Sequence, residues 1–120
     1  MVGETTIYHN PRCSKSRATL TLLREAGYDP EIILYLDRPP TADRLNELLH
    51  AMGLTARDLI RTKEAPYKEL GLADKTLSEH ALIEHMVVNP ILIDRPIVVV
   101  GDEVRLCRPA ERVHELIAQT

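Results

Sequence analysis

The chain has 120 residues and a formal charge of -3, and 44% of its residues are hydrophobic. That length allows one compact domain, and the hydrophobic content excludes a disordered chain. With no Phe and no Trp, the sequence lacks the aromatic platforms on which single-stranded nucleic acids stack, and its acidic balance disfavours a phosphate backbone as ligand. We see no signal-peptide pattern and no apolar run near the roughly 20 residues of a membrane span. We therefore expect a cytoplasmic protein that binds neither nucleic acid nor membrane.

The first part of the chain is predicted to fold as strand, helix and strand. Residues 5–9 are β-prone and end before Asn10, which precedes a proline. A helical pattern follows Cys13 and stops at Gly27, a residue suited to a helix C-terminus. The continuous apolar run 31–36 is typical of a strand buried on both faces. A strand-helix-strand crossover favours parallel pairing of the two strands.

The middle of the sequence is predicted to be helical. Thr41 and Gly53 suit the two ends of one helix. Thr55 opens a short second helix in a capping-box pattern, and Ser78 opens a third that ends at Asn89.

The last part is predicted to contain a hairpin and a helix. Ile97–Val100 is the most strand-like run of the chain, and Gly101 turns it into a second strand over 103–107. Pro109 suits the first turn of a final helix. The element order predicts an α/β fold, a thioredoxin-like (glutaredoxin-like) four-stranded mixed sheet. We expect a single domain over 1–120 with a helical insertion at about 41–89.

Cys13 lies where the first strand has ended and a helix begins. A thiol at this place is close to the positive end of the helix dipole, and the backbone N–H groups of the first turn can bind an anion. Lys15 and Arg17 add positive charge nearby, and His9 lies four residues upstream. These features favour a reactive thiolate. Cys107, in a predicted strand, is expected to be packed in the core.

The motif C-S-K-S at 13–16 differs from the C-x-x-C of dithiol oxidoreductases, because Ser16 stands at the second cysteine position. A single thiolate can attack a substrate but needs an outside thiol to complete a turnover. A phosphatase-type loop is excluded, since Thr19 occupies the position at which that loop has an arginine. The histidines are scattered, so we expect no metal site.

Four ordered stretches of the chain resemble the arsenate reductases that are coupled to glutaredoxin. They are YHNPRCSKSR at 8–17, LIRTK at 59–63, NPILIDRPIV at 89–98 and RLCRP at 105–109. This resemblance, which covers nearly the whole chain, implies a thioredoxin-like fold and a cytoplasmic oxidoreductase of arsenical resistance.

The resemblance also implies roles for individual residues. Cys13 would be the nucleophile, and Arg61, Arg95, Arg108 and Asn10 would bind the oxyanion. Guanidinium groups are permanently charged and can grip two oxygens at once, which offsets the repulsion between a thiolate and an anionic substrate.

His9 would help to keep Cys13 ionised, and Ser16 would support the loop through hydrogen bonds. The implied substrate is arsenate, the implied co-substrate is glutathione, and glutaredoxin would resolve the remaining mixed disulfide. We expect a monomer with no bound cofactor.

Three points stay open. The pair Ser14-Lys15 differs from the smaller neutral pair of the best-known arsenate reductases. A glutathione-dependent thiol-disulfide transferase is therefore an alternative, and a redox-sensing transcriptional regulator is a weaker one.

Arg105 competes with Arg108 for the site, because strand alternation would place it on one face with Cys107. The resemblance also suggests that the bond preceding Pro96 is cis.

Overall fold

The computed structural model describes residues 4–117, which divide by their contacts into two units. The first unit contains residues 4–38 and 95–117, and the second is Pro39–Asp94. Between residues 4 and 117 no helix is long and apolar enough to cross a membrane. The prediction of a single domain with an insertion at about 41–89 stays a prediction.

The elements of the described chain follow the order predicted from the sequence. The strands are β1 (Thr5–His9), β2 (Glu31–Leu34), β3 (Ile97–Val100) and β4 (Glu103–Leu106). The α-helices are α1 (Ser14–Glu25), α2 (Ala42–Met52), α3 (Ala56–Leu59), α4 (Ala65–Glu69), α5 (Glu79–Val88) and α6 (His114–Ile117). Two 3-10 helices, Pro90–Leu92 and Ala110–Val113, complete the chain.

The first unit is built on a four-stranded mixed sheet with the strand order β2-β1-β3-β4. β1 is parallel to β2, and Ile7 lies opposite Ile32 in that pair. β1 is antiparallel to β3, and β3 is antiparallel to β4. The predicted α/β, thioredoxin-like arrangement of a parallel pair followed by a hairpin is confirmed.

The prediction that 31–36 is a strand buried on both faces is wrong. β2 ends at Leu34, which is 39% exposed, because the backbone turns there and Asp37 N–H donates to the Leu34 carbonyl at 3.0 Å. β2 is also an edge strand of the sheet. A continuous apolar run is therefore not sufficient to predict a strand that is buried on both faces.

The core of the first unit lies between the sheet and helices α1 and α6. The buried residues of this cluster are Ile7, Leu20, Leu23, Tyr28, Val98, Cys107, Val113, Leu116 and Ile117. α1 contacts the 3-10 helix Ala110–Val113, and α6 contacts β4. This packing holds the N-terminus of α1 at a defined place beside the end of β1.

The helices of the second unit begin and end where their cap residues predicted. The Thr41 side chain accepts a hydrogen bond from the third residue of α2, and Gly53 ends that helix with a φ of 69°. Thr55 forms the predicted capping box of α3, and Ser78 caps α5. α4 was not predicted from the sequence. It is a short helix with a proline in its first turn.

Candidate active site

Cys13 is the N-cap residue of α1, with extended backbone at φ -93° and ψ 122°. The chain reaches it through a tight turn in which Cys13 N–H donates to the Asn10 carbonyl at 3.0 Å. The next helical bond runs from Arg17 N–H to the Cys13 carbonyl, also at 3.0 Å. The sulfur therefore lies at the positive end of a 12-residue helix, where negative charge is stabilised.

The environment of Cys13 favours its ionised form. Partial burial by itself raises the pKa of this thiol, but hydrogen bonds from Ser16 N–H, the Arg95 side chain and Lys15 N–H outweigh that effect. The positive charge of Arg95 adds to them, so the pKa of Cys13 lies below its ordinary value. The side chain is half-buried rather than enclosed, which leaves the sulfur accessible from solvent.

Two of the predicted arginines lie at this thiol. Arg108 Nη1 donates to the Arg95 carbonyl at 2.9 Å and lies 4.0 Å from Cys13 Sγ. Since 4.0 Å is at the outer limit for a hydrogen bond to sulfur, Arg95 has the larger effect on the thiolate. The bond between Arg95 and Pro96 is cis, as the resemblance suggested, and so is the bond preceding Pro109.

Arg105, the competitor of Arg108, is engaged elsewhere. Its Nε donates to Glu115 at 3.1 Å. Arg105 lies opposite Val98, which shares the core cluster with Cys107, so alternation places it on the face where Glu115 of α6 holds it. Arg108 therefore reaches the sulfur from the segment that follows the strand.

Arg61 belongs to the second unit, where two carboxylates hold it. Its Nε donates to Glu64 at 3.2 Å and its Nη1 to Asp94 at 2.8 Å. Partial burial lowers the pKa of Arg61. The two carboxylates raise it by more than burial lowers it, so the pKa lies above its ordinary value. Its predicted participation in oxyanion binding stays a prediction.

His9, Asn10 and Ser16 form a buried hydrogen-bond network beneath the Cys13 loop. His9 Nδ1 lies 2.6 Å from Ser16 Oγ, which also accepts from Asn10 N–H at 3.1 Å. Burial lowers the pKa of His9, and the charges of Arg24 and Arg17 lower it further, so the ring is neutral at neutral pH. The predicted support of the Cys13 thiolate by His9 stays a prediction.

Cys107 is the opposite of a reactive cysteine. Its side chain is fully buried in the core cluster of the first unit. Desolvation raises its pKa to about 12, against a smaller lowering by Arg112. The prediction that Cys107 serves in packing agrees with this burial.

A cleft beside the Cys13 loop was not predicted from the sequence. It is lined by His9, Asn10, Pro11, Arg12, Leu34, Leu36 and Asp37. The predicted parallel pairing of β1 and β2 brings residues 9–12 close to 34–37, but no sequence motif marks residues 34–37 as part of a site. Among residues 4–117 no group of three or more His, Cys, Asp or Glu side chains is arranged to hold a metal ion.

Comparisons with known proteins agree with the fold and the sequence motifs. The model of the ArsC family matches residues 8–116. The protein named arsenate reductase of Escherichia coli (strain K12) is 50% identical over 97% of this chain and 82% of its own length. Uncharacterized protein YfgD of the same organism is 54% identical over 98% of this chain and 99% of its own. The chain that carries Cys13, its neighbouring arginines and the thioredoxin-like sheet therefore belongs to the ArsC family.

Solved structures give the same result. The structure described as arsenate reductase from Vibrio cholerae superposes with a TM-score of 0.92 at 46% identity, covering 96% of this chain and 98% of that one. The arsenate reductases of the family are oxidoreductases. A single thiolate flanked by arginines on this fold is consistent with that class.

Proposed function

We propose that this protein reduces arsenate to arsenite, with Cys13 as the nucleophile and with glutathione and glutaredoxin as the reductants. The observation that carries the proposal is the convergence of Arg95 and Arg108 on the Cys13 sulfur. A thiol that only exchanged disulfides has no need of two guanidinium groups, whereas a tetrahedral oxyanion is a matching ligand for them. The arsenate reductases among the relatives support the same substrate.

In the first step, the Cys13 thiolate attacks the arsenic atom of arsenate. A sulfur–arsenic bond forms, an arsenic–oxygen bond breaks, and the oxygen leaves as hydroxide or, after protonation, as water. Arsenic remains in the (V) state. Arg95 and Arg108 reduce the repulsion between the two anions, and Asn10 is the proposed neutral hydrogen-bonding residue of the oxyanion site.

In the second step, the thiolate of glutathione attacks Cys13 Sγ. A disulfide forms between Cys13 and glutathione, the sulfur–arsenic bond breaks, and its electron pair stays on arsenic, which leaves as arsenite in the (III) state. The two thiols have lost two electrons and arsenic has gained them. Glutaredoxin then reduces the mixed disulfide and returns Cys13 to the thiolate form.

A second function is favoured by one observation. Cys107 is buried and Ser16 replaces the resolving cysteine, so each turnover of Cys13 requires an external thiol. The same requirement applies to a glutathione-dependent thiol-disulfide transferase that acts on mixed disulfides rather than on arsenate.

A coupled assay separates the two functions. NADPH oxidation is followed with glutathione, glutaredoxin and glutathione reductase, first with arsenate and then with a small mixed disulfide as substrate. We expect arsenate-dependent oxidation by the wild type and by Cys107→Ala, and none by Cys13→Ser. Oxidation no faster than background with arsenate, together with rapid oxidation with the mixed disulfide, would replace the reductase by the transferase.

A further inference from the structure

The cleft beside the Cys13 loop lies entirely within the first unit and has a volume of about 380 Å³. That volume falls in the range of small-ligand sites. One wall consists of residues 9–12, at the end of β1, and the other consists of Leu34, Leu36 and Asp37, at the end of β2. The two strands pair in parallel, so the cleft opens at their shared carboxyl end.

The wall formed by residues 9–12 leads directly into Cys13, which does not itself line the cleft. Cys13 N–H donates to the Asn10 carbonyl at 3.0 Å. Within the same turn, Arg12 N–H donates to Asn10 Oδ1, also at 3.0 Å. These bonds fix the backbone of Arg12 between the cleft and Cys13. A small ligand in the cleft therefore lies against the turn that precedes Cys13.

The lining of the cleft has opposite charges on its two walls and apolar surface beside them. Arg12 and Asp37 are both exposed. Leu34 and Leu36, at 39% and 38% exposure, are among the exposed large hydrophobic residues of the chain. A ligand that matches this surface has an anionic group, a cationic group and a short apolar part between them.

We propose that this cleft binds glutathione, with Arg12 contacting a carboxylate of the tripeptide and Asp37 contacting its ammonium group. Glutathione carries two carboxylates, one ammonium group and a central cysteine, which fits this set of charges. The inference deepens the proposed function and rests on glutathione being the thiol that attacks at Cys13. It assigns a binding role to Asp37, which the sequence motifs do not include.

Asp37 separates specific recognition from simple attraction. Glutathione has a net negative charge, so a surface that attracted it only through net charge would bind it better once Asp37 is neutralised. A cleft that recognises the ammonium group predicts the reverse, because Asp37→Asn removes the partner of that group. The two explanations therefore differ in the sign of the effect.

The test measures how fast Cys13 reacts with glutathione disulfide in the absence of arsenate. In that reaction the Cys13 thiolate forms a disulfide with one glutathione, the original disulfide bond breaks, and the second glutathione leaves as a thiolate. The neutral 2-hydroxyethyl disulfide serves as a reference, because it reports the intrinsic reactivity of the thiolate. Both rates are followed by intact-protein mass spectrometry in wild type, Arg12→Gln, Asp37→Asn and the matched control Arg38→Gln.

We expect Arg12→Gln and Asp37→Asn each to lower the ratio of the two rates roughly 3- to 5-fold, the size of one exposed charge pair. Arg38, an exposed neighbour of Asp37 that does not line the cleft, is expected to change the ratio less than about twofold when replaced by Gln. A disulfide of glutathione without its α-amino groups is expected to react with wild type and Asp37→Asn at equal ratios. An unchanged or increased ratio in Asp37→Asn would overturn the proposal.

This experiment is independent of arsenate chemistry. One outcome is a lower ratio of the two rates in both cleft variants, with no arsenate-dependent turnover by the wild type. That outcome would support the cleft as a glutathione site and contradict the proposed arsenate reductase activity. The other outcome is arsenate-dependent turnover by the wild type, with a ratio of rates that neither substitution changes. That outcome would support the reductase activity and contradict the cleft as its glutathione site.

Discussion

The loop around Cys13 and the core around Cys107 belong to the same unit but shift the pKa of a thiol in opposite directions. Cys13 is half-buried and receives hydrogen bonds from backbone N–H groups and from Arg95, which lower its pKa. Cys107 is fully buried among apolar side chains, which raise its pKa to about 12. Burial disfavours the thiolate at both positions. The difference comes from the donors that the N-terminus of α1 and Arg95 supply to Cys13.

The sharpest test of this comparison is selective alkylation. At pH 7.5 we expect iodoacetamide to label Cys13 at least roughly 1,000-fold faster than Cys107, because Cys107 has almost no thiolate and no access. The labelling rate of Cys13 should rise with pH and level off below the pH expected for an ordinary thiol. The measurement is peptide mass spectrometry after timed quenching, and denaturant should make the two rates similar. Comparable rates in the native protein would contradict the comparison.

The buried network under the Cys13 loop predicts a difference between two serines of α1. Ser16 is fully buried, and its Oγ contacts His9 and accepts from Asn10 N–H. Ser16→Ala leaves buried polar groups without that partner, so we expect the free energy of unfolding to fall by about 2 kcal/mol. Ser14 is exposed, and Ser14→Ala should cost less than about 0.5 kcal/mol. Urea denaturation checks both values, and equal losses would show that the network is not a stabilising one.

Cys107 predicts how stability changes at alkaline pH. Its folded pKa of about 12 exceeds the value of about 8.5 expected in the unfolded chain. Above the lower value the unfolded thiol loses its proton while the folded one keeps it. The free energy of unfolding should therefore fall by up to about 1.4 kcal/mol per pH unit from this group.

Cys107→Ala removes that contribution. We expect the stability difference between wild type and Cys107→Ala to shrink between pH 8 and pH 9.5, as measured by urea denaturation at each pH. A difference that stays constant over this range would mean that the thiol ionises as easily in the core as in water.

The two arginines at Cys13 predict the smallest effect. Arg95 contributes a hydrogen bond and a charge to the thiolate, whereas Arg108 Nη1 lies 4.0 Å from the sulfur. Arg95→Gln should raise the pKa of Cys13 and slow its alkylation at pH 7 by roughly 3- to 5-fold. Arg108→Gln should slow it less. Circular dichroism confirms that each variant is folded, and a larger effect of Arg108→Gln would reverse the order.

The helix ends and the parallel pair followed by a hairpin were predictable from the sequence, whereas the exposure of individual strands was not. Thr41, Gly53 and Ser78 mark helix ends because a cap is satisfied within a few residues of chain. The exposure of β2 depends on its edge position and on the turn at Leu34, so its apolar run was misinterpreted as a strand buried on both faces.

The candidate site divides in the same way. The setting of Cys13 follows from a strand end and a helix start that lie next to each other in sequence, and the structure places it there. The choice between Arg105 and Arg108 depends on the ion pair between Arg105 and Glu115. Alternation along a strand could not predict that partner. The cleft that Asp37 lines arises from the predicted pairing of β1 and β2, but no sequence motif marks its residues.

The position of Cys13 at the N-cap of α1 has a consequence for the helix itself. The N–H groups of Lys15 and Ser16 favour the sulfur anion and lower its pKa, although Cys13 makes no side-chain cap hydrogen bond of the kind that Thr41 makes at α2. Once the sulfur is bonded to another atom it loses its charge and becomes a weak acceptor. The first turn of α1 then loses a negative charge beside its N–H groups, and its amide protons should exchange with solvent faster, whereas those of α2, capped by Thr41, should not change. The chemical state of one sulfur atom can thus be followed through the hydrogen exchange of the helix that it begins.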